Sequence, residues 1–186
     1  MSTEVLTNLR QLHDAMVTTL RAHYRDLVPT IAAYDPFPQL DGPDPQPLIT
    51  PAILLQLDAI DPGEDDGTDR QPLRLTWVAH CVLSFRTEQV QLELRELAAD
   101  VLSLVRNQRW GLSGALQVPT ALSALPGEFV PGLQGSDSWQ VRWEQQTYIG
   151  PSVWASRGVL PLTVWLGQAP EIGVEHVDDY DLVAHG

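Results

Sequence analysis

Carboxylates are the reactive side chains that crowd most closely in this chain, and crowded carboxylates suggest a metal site or acid–base chemistry. Asp58, Asp61, Glu64, Asp65, Asp66 and Asp69 all lie in the run DAIDPGEDDGTD. A calcium loop of the EF-hand type alternates its oxygen ligands, turns on a glycine at position six and ends in a glutamate. Counted from Asp61, position six is Asp66, and the closing glutamate is missing. The run therefore reads as a solvated acidic turn. In EHVDDYD, His176 stands beside Asp178, Asp179 and Asp181; this reads as an acidic tail rather than a metal centre. Glu93, Glu96 and Asp100 share one face of a helical segment, but nothing near them suggests a polarised pocket. They read as a solvated or intersubunit face.

Nucleophiles are equally sparse. Cys81 is the single cysteine. In an alternating strand it points to the apolar face while His80 points away, whereas a reactive thiolate needs exposure and a nearby cation. It reads as a buried structural thiol. No G-x-S-x-G elbow occurs, and a chain without lysine has no phosphate-binding G-x-x-x-x-G-K-[ST] loop. The six tryptophans mostly follow strand alternation, which points to packing rather than to base stacking. No catalytic residue, cofactor or metal is expected, and the chain is not expected to be an enzyme.

The charge balance narrows the partners. Eleven cations, all arginine, face 24 acids, for a net charge of −13 over 186 residues. Affinity for nucleic acid comes mainly from clustered cations, so this chain is a poor binder of phosphates. A hydrophobic content of 44% with 19% charged residues marks a folded protein rather than a disordered acidic tail. One cysteine excludes an intrachain disulfide framework and suits a reducing cytoplasm. The opening MSTEVLTNLRQL lacks the basic start and unbroken apolar run of a signal peptide. No stretch reaches the roughly 18 apolar residues of a membrane helix, so a soluble protein without membrane contact is expected.

The length fits one domain, 1–186. Thr3 to Val28 reads as a helix: Val5, Leu9, Leu12, Met16, Leu20 and Tyr24 recur at steps of three and four. Ser2 or Thr3 is the expected cap, and Pro29 the stop. Residues 29–51 carry seven prolines and are expected to run extended over the surface. Ala52 to Ile60 and Leu73 to Arg86 alternate as strands, the second roughly 46 Å long at ~3.3 Å per residue, and are expected to pair as a long hairpin with the acidic run at its tip. Thr87 is the expected cap of a second helix, Glu88 to Gln108, with a buried stripe of Val90, Leu94, Leu97, Val101 and Leu104. Residues 111–137 read as a long loop. SWQVRWEQQTYI and VLPLTVWL read as strands, the latter the more buried, with Pro161 marking an edge or a bulge. The tail 168–186 reads as acidic and irregular. The expected fold is α+β: a mixed or antiparallel sheet with two helices on one face, in the order α-β-β-α-β-β.

That order, with the PAILLQL strand after a proline-rich connection, the alternating LRLTWVAHCVLSFR strand, the LRELAADVLSLVRNQRWG helix and the late SWQVRWEQQTYIGPSVW hairpin, resembles tail terminator proteins of long-tailed bacteriophages and related contractile particles. The likeness covers residues 3 to 167. It implies a structural virion protein that assembles as a hexameric ring on the tail tube, stops tube growth and joins the tail to the head. The implied partners are further copies of the chain, the tail tube protein, a neck or head completion protein and, in contractile particles, the sheath protein. DNA passes through without specific binding. The implied location is the tail–neck junction of the virion, after assembly in the host cytoplasm. On this reading the acidic tip, Asp58 to Asp69, is expected at the lumen or tube-facing rim, and Glu93, Glu96, Asp100, Arg142 and Trp154 at the subunit interface. The alternatives are a neck or head-to-tail stopper protein and an acidic DNA mimic. A mimic displays carboxylates at duplex-like spacing over one continuous face, whereas here they concentrate at 58–69 and in the tail.

Overall fold

A computed structural model describes residues 5–34, 48–112, 114–127, 135–153, 163–170 and 172–185. Where the sequence reads as one domain, the chain divides into two compact units, 1–153 and 154–186.

The first unit is built on a long sheet. Strand β2 (Ala52–Pro62) and strand β3 (Gln71–Ser84) form the expected antiparallel hairpin, with Ile53 opposite Cys81 and Leu55 opposite Ala79. β3 then pairs along its whole length with β5 (Ser136–Ile149). Two further strands lie where loops were expected. β1 (Thr30–Ala33) runs parallel to β2 inside the proline-rich connection. β4 (Thr120–Pro126) pairs with β5 within the expected 111–137 loop, and its register shifts between Thr120 and Ser123 around the positive φ of Ala121. The sheet order is β1-β2-β3-β5-β4, a mixed sheet in an α+β fold. β3 ends two residues before the expected Arg86, because the Ser84 carbonyl accepts from the Thr87 N–H and turns the chain. Phe85, just past the end of the strand, is exposed.

Both helices cover the face formed by the odd-numbered strand residues. Helix α1 (Leu9–Tyr24) turns Leu12, Met16, Leu20 and Tyr24 inward. It starts later than expected because the side chain of Asn8 accepts from the Gln11 N–H at 2.9 Å, while the Thr7 N–H donates to Gln11 Oε1. The caps expected at Ser2 or Thr3 lie outside the described residues. Helix α2 (Val90–Val105) buries Leu94, Ala98, Val101 and Val105. Its stripe is rotated from the expected one; the small Ala98 at the centre lets the backbone approach the sheet, and Val90, Leu97 and Leu104 are only part-buried. Thr87 does not cap it: the N-cap is Gln89, at φ 51, without a side-chain bond. Leu75, Trp77, Ala79, Cys81, Val141 and Trp143 meet the helices in one core. On the other side of the sheet Leu54, Val78, His80 and Val82 are also buried.

The second unit contains β6 (Thr163–Leu166) and β7 (Asp181–His185), paired antiparallel, and a short 3-10 turn over Val174–Asp179. The tail is therefore regular where irregularity was expected. β6, expected to be the more buried of the last two strands, exposes Trp165 and Leu166, and among the described residues it pairs with β7 alone. Pro161 lies outside the described residues.

Candidate functional site

The acidic tip joins β2 to β3, and much of its charge is occupied. Asp65 Oδ1 accepts from the Gly67 N–H at 2.9 Å, and Asp66 Oδ1 from the Thr68 N–H at 3.1 Å. These are the side-chain-to-backbone turns that aspartate favours. Asp66 also holds the Thr68 hydroxyl and the Arg70 guanidinium. Burial is the largest single influence on the Asp66 carboxyl and pushes it upward, but the bonds from Thr68 and Arg70 and the charge of Arg70 together outweigh it and hold the group below its ordinary 3.8. Arg70 then ties the tip to the body. It donates to the Gly114 carbonyl and lies 4.9 Å over the Tyr148 ring, while Gln146 Nε2 donates to the Glu64 carbonyl at 3.0 Å. Carboxylates engaged in this way are turn-forming groups. Glu64, Asp65 and Asp69 are exposed and Asp61 is part-exposed, so these four carry the outward charge of the tip, Asp65 while also holding its turn.

The sixth member of the run, Asp58, belongs elsewhere. It is the unpaired residue where the β2–β3 register shifts between Leu57 and Ala59, and such a bulge re-aims a side chain. Its carboxylate meets Arg142 of β5 at 3.1 Å. Arg74 and Glu144 make a looser pair nearby, at 3.9 Å. Under this charged patch lies His80, buried, its Nε2 2.8 Å from Gln56 Oε1 and its ring stacked on Tyr34 at 4.6 Å. Burial is the main force lowering its pKa; Arg142 adds to the fall and Asp58 opposes it.

The expected interface residues divide between the two sides of the sheet. Glu93, Glu96 and Asp100 stay exposed along α2 and edge a groove of about 350 Å3 floored by Val28, Leu83 and Leu97. Asp100 meets His23 at 3.4 Å. It also faces the Tyr24 hydroxyl without a well-formed hydrogen bond, and burial together with this carboxylate pushes the Tyr24 pKa up. Arg142 is on the side away from the helices. Trp154 lies outside the described residues.

No protein-family model and no curated protein matches the chain. Its chemistry has therefore to be read from its own residues. Cys81 is fully buried in the middle of β3, and burial pushes its thiol up to about 12, which leaves no thiolate for nucleophilic attack at neutral pH. Among the described residues no helix is long and apolar enough to cross a membrane.

Two residues that sequence reasoning missed organise the structure around the sites. Arg70 gave no local signal, since Gly114 is far away in the chain. Gln145 did give one, as a polar residue at a core-facing position between Trp143 and Thr147. It is fully buried; its Oε1 accepts from Trp110 Nε1 at 3.0 Å, and its Nε2 donates to the carbonyls of Gln108 and Gln117. One amide thus ties the residues after α2 to those before β4.

Proposed function

We propose that the chain is a ring-forming structural subunit of the tail-terminator kind, capping the tail tube of a long-tailed phage or related contractile particle, arresting tube growth and joining tail to neck. The observation that supports this reading is a sheet whose two edge strands among the described residues, β1 and β4, are unlike each other, with a pair of helices packed on one face; the element order, α-β-β-β-α-β-β in this unit, adds these two strands to the order that the resemblance implies. A ring closes only through heterologous contacts between unlike patches, and unlike strand edges can supply them. The groove edged by Glu93, Glu96 and Asp100 is a further surface for a neighbouring copy. The outward carboxylates Asp61, Glu64, Asp65 and Asp69 would line the lumen or the tube-facing rim, where they repel DNA in transit. The six copies would contact the tube protein on one side, the neck protein on the other and, in a contractile particle, the sheath protein.

The test is the mass in solution together with negative-stain images, with and without tube protein. A six-fold ring that caps tubes supports the proposal; a monomer indifferent to tubes overturns it. A ring that binds the neck side and leaves tube growth unchecked would favour a stopper protein instead. Replacing the four outward tip acids by Asn or Gln should leave ring assembly intact and slow DNA passage. Unchanged passage would remove the lumenal role of the tip.

A further inference from the structure

The described residues of the second unit form almost no interior. Among its described side chains none is buried, and Trp165, Leu166, Ile172, Val174, Val177 and Leu182 are exposed, Val174 at 92%. A unit confined to 154–186 falls below the ~40 residues at which a chain usually needs a disulfide, a metal or association to hold its fold. The one cysteine is in the other unit. Trp165, Val174, Val177 and Tyr180 wall a groove of about 720 Å3. Its floor is organised before anything binds: the Tyr180 hydroxyl accepts from the Gly173 N–H at 2.9 Å, and its ring packs so closely on Gly167 that a Cβ there would lie 2.7 Å away. Contiguous apolar surface of this kind marks a binding face.

The rim says what fits. Asp178 lines the groove itself, and Glu175, Asp179 and Asp181, close to it in the chain, are exposed as well; His176 bonds to Asp179 at 3.0 Å. By sequence the unit has one arginine, Arg157, and no lysine. A second copy of the chain would bring the same acidic rim against this one, a like-charge juxtaposition that disfavours the pairing. We infer that this groove docks a different protein, through an apolar knob set among lysines or arginines. The inference does not depend on the tube-capping function.

Two synthetic helical peptides with the same Leu and Trp face test it, one carrying Lys at the flanking positions and the other Glu. Each is titrated calorimetrically into the full chain and into its Val174→Ser/Val177→Ser variant, whose changed side chains are both exposed. The expected result is that the Lys peptide binds the unaltered chain about ten-fold more tightly than the variant, more weakly as salt rises, and that the Glu peptide does not bind. Equal affinity for chain and variant, equal binding of the two peptides, or no binding of the Lys peptide would overturn the inference. So would a concentration-dependent doubling of mass that the variant abolishes, since that would make a second copy the occupant.

Discussion

Asp58 and Arg142 belong to strands that do not touch, β2 and β5, yet their side chains meet at 3.1 Å across β3. The bulge at Asp58 swings the carboxylate over its neighbour strand. Both side chains remain about a third to a half exposed, at 33% and 46%, and exposed pairs contribute little. A double-mutant cycle with Asp58→Asn and Arg142→Gln, followed by urea unfolding, should give a coupling of about 0.2–1 kcal/mol, shrinking as salt screens it. The pair should be more visible through His80 beneath it. Asp58→Asn should lower the His80 pKa and Arg142→Gln raise it, which NMR titration of the ring reads directly.

Gln145 should be far less tolerant of change. Replacing it by Leu keeps an apolar volume in the core but strips partners from Trp110 Nε1 and from the carbonyls of Gln108 and Gln117. Each buried group left unpaired costs about 1–3 kcal/mol, and such costs are not additive. Gln145→Leu should therefore lose about 2–4 kcal/mol, read as a lower urea midpoint with an unchanged slope. A loss under 1 kcal/mol would mean that water or other groups replace the amide.

His80 gives the fold an acid sensitivity with a definite sign. Its folded-state pKa lies below 6.5, so the unfolded chain takes up a proton first as pH falls. Stability is full above 6.5 and declines from there down towards the folded-state pKa. His80→Gln, which keeps a partner for Gln56, should flatten the stability profile just below pH 6.5. A profile as steep as that of the unaltered chain would assign the slope to other groups.

What was legible in the sequence follows from how locally each feature is encoded. The alternation of β3 and the stripe of α1 are written in consecutive residues, because one face of each meets the core, and both were readable. β4 was not. TALSALP holds neither a β-branched run nor an aromatic residue, and it becomes a strand because the edge of β5 offers unpaired backbone groups. The bulge that sends Asp58 to Arg142 has no marker such as glycine. The acidic run was readable as a turn, but not that Arg70 would bind it to Gly114. The tail misled for a related reason: its acids suggested solvated coil, while its apolar residues form the walls of a groove.

Cys81 should behave as an inert core atom. With its thiol pushed up to about 12 and no exposed surface, the native chain at pH 8 should react with a thiol reagent only as fast as it opens. Labelling should accelerate in parallel with unfolding as urea is added. Rapid labelling in the absence of urea would show that β3 opens locally.

Arg70 should decide whether the acidic tip is ordered. Its side chain is only 14% exposed, and it touches Asp66, Thr68, Gly114 and Tyr148 at once. Arg70→Ala removes charge-assisted bonds and a cation–π contact, for a loss of about 1–3 kcal/mol. Amide exchange at Gly67 and Thr68 should quicken, because the aspartates that hold those N–H groups lose their anchor. Asp66 supplies the pH signature. Its folded-state pKa lies below 3.8, so the stability it contributes is present above 3.8 and is lost as pH falls through the folded value. In Arg70→Ala the Asp66 pKa should rise towards 3.8 and that part of the acid dependence should weaken. Arg70→Lys keeps the charge without the planar fork and should recover the Asp66 shift better than the order of the tip. If Lys restores both fully, charge alone holds the tip in place; if Ala leaves the exchange rates unchanged, the tip is held by its backbone turns and Arg70 is a bystander.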